Sequence, residues 1–296
     1  MESKRIALST GVSLNVAMAG AADGKPVILL HGFPESHRTW RKLAPLLGEF
    51  QLVMPDLRGF AGSDKPQNLD AYRTDVLVAD LLALADAMEI ERFALVGHDW
   101  GGAVAWAATL RGGPRIERLA IINSPHPLIF QKSIIDDEAQ RAASQYIRSF
   151  RETGMEEKIR AMGLDAFFDK SFGAHVDLGS ISAEERKAYL EEWGGDGALE
   201  GMLAWYRASP ILVPAMDEAG EYPAWLMSGV PDVHVPVKIL WGMEDKALLP
   251  CQLEGLDGLI DDLSIERLEG VGHFAPWEAA DKVAAALKPF LAKADL

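Results

Sequence analysis

FALVGHDWGGAVAWAA, residues 93–108, holds the densest local signal in the chain. A continuous apolar run, the mark of a strand covered on both faces, passes straight into Gly97-His98-Asp99-Trp100-Gly101-Gly102, and a stretch of small residues suited to a helix follows. Glycine two places before and two places after Asp99 removes side chains that would strike the neighbouring backbone in a sharp strand-to-helix turn. Such a turn pushes its central residue out at the top of a sheet, and here that residue is Asp99.

Further runs of the same kind lie on both sides: PVILL (26–30), LVMPD (52–56), LAIIN (119–123) and VKILWG (237–242). Between them come helical periods, Leu77, Leu81, Leu84 and Met88 in one, and Trp277, Ala280, Ala284, Leu287 and Leu291 near the end. Strand alternating with helix predicts an α/β fold, a parallel sheet with helices on both faces. The alternation stops between Ser124 and Val235, where helical segments are broken by Gly154, Gly163, Gly173 and Gly194. A helical insertion is expected there, over the carboxyl ends of the strands where open α/β sheets bind ligands. The expected division is a core of residues 1–125 and 235–296 and a helical cap of residues 126–234.

Composition narrows the partners. The 296 residues carry 29 Lys and Arg against 44 Asp and Glu, a net charge of −15 that repels phosphate backbones and anionic lipid, so neither nucleic acid nor a membrane surface is expected as a partner. One cysteine, Cys251, excludes an internal disulfide framework and a multi-thiolate metal site, and HExxH, CxxC and P-loop patterns are absent. No metal and no cofactor are expected. The opening MESKRIALSTGVSLNVAMAGA superficially looks like an export signal, but Ser9, Thr10, Ser13 and Asn15 interrupt its apolar stretch. Two short strands around a turn at Gly11 are expected instead, and a cytoplasmic location.

Three more motifs converge on the end of the sheet that bears Asp99. His31-Gly32-Phe33-Pro34 follows an early strand, Asp245 stands just beyond the strand ending at Gly242, and His273 lies in GVGHFAPWE beyond the last one. Nucleophile, acid and histidine then follow in the chain order of the α/β-hydrolase triad. A carboxylate with an ordinary pKa of about 4 is ionised at neutral pH and can attack an sp3 carbon without a base to activate it.

Over residues 26–123 and 237–291 the chain resembles the α/β-hydrolases that use an aspartate nucleophile, the soluble epoxide hydrolases most of all. The resemblance implies a mostly parallel eight-stranded sheet with an inserted helical cap. It also implies that Asp99 is the nucleophile, His273 the general base and Asp245 the orienting acid. Glu244 is the neighbouring alternative, but the family's Gly-x-x-Asp spacing selects Asp245. The backbone N–H groups of Phe33 and Trp100 would form the oxyanion hole, and Trp100, Phe33, Phe274 and Trp205 would bind substrate. Two cap tyrosines donate protons to the epoxide oxygen in this family. Tyr206, in GMLAWYRAS, and Tyr146, eight residues before Gly154, fill those places, whereas Tyr72 lies outside the insertion and Tyr189 and Tyr222 match no motif. The implied partners are a small apolar epoxide and water, in a monomer or homodimer.

Two related families depart at named positions. Haloalkane dehalogenases carry Asn where this chain has Phe33, and fluoroacetate dehalogenases carry Arg where it has Trp100. A dehalogenase using the same Asp99, His273 and Asp245 is the alternative reading, and a ligand receptor that kept the fold without turnover is another. His31 and His98 read as scaffolding of their motifs, and His126 as a structural residue at the cap entry.

Overall fold

Apolar runs without alternation fold into strands buried on both faces. In the computed structural model, which describes residues 2–227, 229 and 231–293, the strands are β1 (Glu2–Ala7), β2 (Ser13–Gly20), β3 (Pro26–Leu30), β4 (Gln51–Pro55), β5 (Phe93–His98), β6 (Ile116–Ile122), β7 (Val237–Gly242) and β8 (Leu263–Leu268). They form one sheet in the order β1-β2-β4-β3-β5-β6-β7-β8. Only β2 runs against its neighbours, and from β4 through β8 every pairing is parallel. The β1–β2 hairpin turns at Gly11, where φ is +85°. Every residue of β5 is buried, while β8 at the edge alternates between partly buried and exposed along most of its length.

Helices α1 (Thr74–Ala87) and α2 (Trp100–Leu110) cover one face of the sheet. Leu77, Leu81 and Leu84 turn inward from α1, as their spacing predicts. Among the described residues, the insertion between β6 and β7 holds eight short α-helices: α3 (Pro127–Asp136), α4 (Glu138–Ala143), α5 (Gln145–Arg151), α6 (Met155–Met162), α7 (Leu164–Gly173), α8 (Ala183–Trp193), α9 (Ala198–Ala208) and α10 (Ala224–Met227). The second face is covered by α12 (Ala280–Ala292), with Val283, Leu287 and Leu291 packed against Trp40, Leu47 and Leu240. The C-terminal apolar period is not one helix. A single turn, α11 (Ala275–Glu278), comes first and breaks at Ala279, because both carboxylate oxygens of Glu278 reach back to the N–H groups of Gly272 and Phe274.

The cap is held to the core by polar contacts that cross the junction. The Tyr189 hydroxyl donates to the buried Glu35 carboxylate at 2.5 Å, and the Trp193 indole donates to the Pro34 carbonyl at 2.8 Å. Arg38 pairs with Glu192 and Arg41 with Glu185. α9 rests on the core backbone itself, for a Cβ on Gly201 would come within 2.6 Å of the Gly59 oxygen. Among the described residues no helix is long and apolar enough to cross a membrane.

Candidate active site

The turn between β5 and α2 is built from absent side chains. A Cβ on Gly101 would sit 2.1 Å from the Leu30 oxygen, and one on Gly97 2.5 Å from the Gly102 Cα. The close approach leaves Asp99 at φ +49°, ψ −120°, as the residue capping α2, and the Ser124 hydroxyl fixes its carbonyl at 2.7 Å. Gly32 completes the fit, since a Cβ there would lie 2.3 Å from both the Asp99 Cβ and Oδ1. The Phe33 N–H donates to Asp99 Oδ1 at 2.7 Å, and the adjacent Trp100 N–H also favours this carboxylate's charged form. Burial raises the Asp99 pKa, while the His273 charge and these two amides work against the rise and favour the anion.

His273 and Asp245 arrive on the loops after β8 and β7. The His273 Nδ1–H donates to Asp245 Oδ2 at 2.7 Å, and Nε2 points to Asp99 Oδ2 at 3.8 Å. Asp245 also accepts from the N–H groups of Ala247 and Leu248 and from the Asn123 amide at 2.8 Å. Burial pushes the Asp245 pKa up, but His273 and these donors outweigh it and hold the carboxyl below its ordinary value. Burial pulls His273 down, yet the Asp245 and Asp99 carboxylates outweigh it and carry the imidazole up to about 9. His98 donates its Nε2–H to the His273 carbonyl at 2.9 Å, and burial lowers its own pKa to about 3, so it stays neutral.

Tyr146 on α5 and Tyr206 on α9 face each other above Asp99, ring centroids 6.0 Å apart. Tyr206 lies edge-on to Phe33 at 5.1 Å and Trp100 at 5.0 Å. Burial and the nearby Asp99 charge raise both phenols well above their ordinary pKa, so both remain proton donors. Asp99, Tyr146 and Tyr206 form the waist between two cavity limbs. One, of about 440 Å³, is lined by Trp100, Phe130, Ile147, Ile211, Trp225 and Leu248. The other, of about 280 Å³, is bounded by Phe33, Lys170, His175, Lys246, His273 and Phe274.

The structure therefore brings Asp99, His273, Asp245, Tyr146, Tyr206, Phe33, Trp100 and Phe274 to one place. Trp205, expected to bind substrate, does not reach the cavity. It is buried behind Trp100 at 5.8 Å, and its indole donates to the Arg58 carbonyl at 2.8 Å, which turns the ring into the core. Tyr189 is engaged with Glu35, and Tyr222 with Asp136 at the surface. Sequence reasoning missed Asn123, which bridges β6 and β7 beneath Asp245, and Glu278, which holds the loop bearing His273. It missed His175 as well, which no motif marks. Among the described residues no three His, Cys, Asp or Glu side chains are placed to hold a metal ion.

A sheet in this order, with an aspartate at the strand-to-helix turn and a His–Asp pair facing it, defines an α/β-hydrolase in which the nucleophile position is a carboxylate. Residues 25–280 match the family model for the alpha/beta hydrolase fold. AB hydrolase superfamily protein YfhM of Bacillus subtilis is 35% identical over 81% of this chain and 80% of its own length. Epoxide hydrolase A of Mycobacterium tuberculosis is 30% identical over 99% and 98% of the two chains. A solved structure, described as one of the novel epoxide hydrolases of the superfamily from metagenomes of hot environments, is 44% identical over 99% of both chains with a TM-score of 0.90. The chain belongs to the epoxide hydrolase family of the α/β-hydrolase superfamily.

Proposed function

We propose that this protein hydrolyses a small apolar epoxide to a vicinal diol through an ester of Asp99. The observation that carries the reading is the waist itself, a carboxylate held by two amides opposite two buried phenols. A halide leaves without a proton, whereas an opening epoxide leaves an alkoxide that needs one. Phenols near pKa 10 and above suit an alkoxide acceptor better than a carboxylic acid would. In the first step an Asp99 oxygen attacks an epoxide carbon from behind, the C–O bond opens, and Tyr146 and Tyr206 hydrogen-bond the oxygen while one gives it a proton. The substrate's apolar arm fits the larger limb.

In the second step His273 takes a proton from water as the water attacks the ester carbon of Asp99, with Asp245 holding the imidazole in the required tautomer. The Phe33 and Trp100 N–H groups stabilise the oxyanion, the diol oxygen leaves with the proton returned by His273, and the acid proton then left on Asp99 passes to the phenolate that gave its proton in the first step, restoring both groups. Ester formation itself prepares this base. The Asp99 charge is one cause of the raised His273 pKa, and esterification removes it, so the imidazole becomes easier to deprotonate when a base is needed.

Two variants test the scheme with styrene oxide, with chloroalkanes as the competing substrates. Asp99→Ala is expected to lose turnover by about a million-fold, the scale of losing a covalent nucleophile. His273→Gln is expected to accumulate an enzyme adduct heavier by one substrate mass in intact mass spectrometry. In 18O-water, a single wild-type turnover puts the label in the Asp99 carboxylate. Label found only in the diol, or halide release faster than diol formation, overturns the reading.

A further inference from the structure

The smaller limb holds a second imidazole beside the first. His175 lines it together with Asp99 and His273, its ring centroid 5.5 Å from that of His273 and 5.7 Å from Phe274, the latter at right angles. Among the described residues neither ring nitrogen of His175 has a hydrogen-bond partner, and Nδ1 is fully enclosed. Its carbonyl lies beside Gly272, immediately before His273, 3.2 Å from where a Cβ there would be. Burial first, then the His273 and Lys246 charges, outweigh Asp245 and lower its pKa to about 4, so the ring is neutral at working pH.

A water that attacks an ester with one lone pair and gives one proton to His273 still has a second O–H to satisfy, and an unpaired polar group in a closed site is costly. Among the side chains around this limb, those of Phe33, Pro34, Phe150 and Phe274 offer no acceptor, and Lys170 and Lys246 can only donate. Tyr146 and Tyr206 are occupied with the substrate oxygen. Ser171 and His175 are the acceptors that remain, and of the two His175 packs beside the His273 ring. We propose that His175 is a positioning residue for the hydrolytic water, holding it between the two imidazoles so that its oxygen bonds the Asp99 ester carbon as its proton passes to His273 Nε2. The alkyl C–O–acyl bond then breaks at the acyl carbon, and His273 returns the proton to the departing diol oxygen. This rests on the covalent reading above and assigns the water of its second step.

Single-turnover mixing with styrene oxide, acid quench and intact mass resolves ester formation from ester decay. In His175→Phe, formation is expected within about twofold of wild type, and decay slowed about tenfold, the scale of one lost hydrogen bond, so that the ester accumulates. His175→Gln, which restores a polar group, is expected to recover most of the decay rate. Unchanged decay in His175→Phe overturns the assignment, as does equal slowing of both steps, the signature of a packing defect, or a Gln variant as slow as Phe. A wild-type enzyme that forms no ester overturns the covalent reading first, before any His175 variant is compared.

Discussion

Asp99 holds a backbone conformation that L-residues avoid, at a cost of order 1–3 kcal/mol, and it persists because neighbours without side chains leave no other course for the chain. Gly32 is the sharpest case, since a methyl there would overlap the Asp99 side chain at its root rather than at a movable tip. Gly32→Ala is expected to cost about 1–3 kcal/mol by overpacking and to cut the ester-formation rate more than stability, read by thermal unfolding beside single-turnover kinetics. A variant with wild-type ester formation would show that the turn has slack. This turn was legible from the sequence because its cause is local, five residues whose sizes dictate one geometry. Asn123, Glu278 and His175 were not, for opposite reasons of distance and type. Asn123 acts across more than a hundred residues, bonding Gly242 and Asp245. Glu278 is one acid among 44, and its role comes from the break at Ala279. His175 carries no spacing to another histidine that would set it apart from a surface residue.

Elements place the phenols. α9 carries Tyr206 five residues beyond Gly201, and the helix approaches the core as closely as the Gly59 and Gly201 backbones permit. Helix propensity favours Ala over Gly by about 1 kcal/mol, so Gly201→Ala would stabilise α9 in isolation. Contact with the Gly59 carbonyl reverses the sign here, because the new methyl must lift the helix from a backbone that cannot yield. The expected result is a fall in kcat with little change in the far-ultraviolet circular dichroism, as Tyr206 moves away from the epoxide oxygen; an unchanged kcat would mean that the cap adjusts freely. The helices of the insertion could be anticipated from composition, but their seating could not. Trp100 and Trp205 are equally apolar in the sequence, and their seats in different elements decide that Trp100, opening α2, lines the cavity while Trp205, on α9, donates to Arg58. The apolar period through Trp277 likewise continued past a break that is set by the polar contacts of Glu278.

Across the whole molecule the buried histidines set the pH range of stability. Burial lowers His31 to about 4, His98 to about 3 and His126 to about 4, against about 6.5 in the unfolded chain. Below pH 6.5 the unfolded state binds protons that the folded state refuses, so stability falls as pH drops and the loss is complete only near the folded values. Each group costs about 3 kcal/mol or more by pH 4, and the three together match the 5–15 kcal/mol that holds a typical domain folded. His273 acts in the other direction. Against the pull of burial, the carboxylates raise it to about 9, so its contribution is full below pH 6.5 and is lost as pH rises toward 9. Stability is therefore expected to peak near pH 7, where the three depressed histidines and the one raised histidine balance, with cooperative unfolding between about pH 6 and 4 on the acid side. His126 isolates the cause, because it is buried edge-on to Trp106 and neither of its ring nitrogens has a partner to lose. His126→Phe keeps the ring and removes the titration. Urea unfolding at pH 7 and pH 5 is expected to show a stability loss about 2 kcal/mol smaller in the variant than in wild type, the contribution of one such group at pH 5. Equal losses in the two proteins would place the acid sensitivity in other groups.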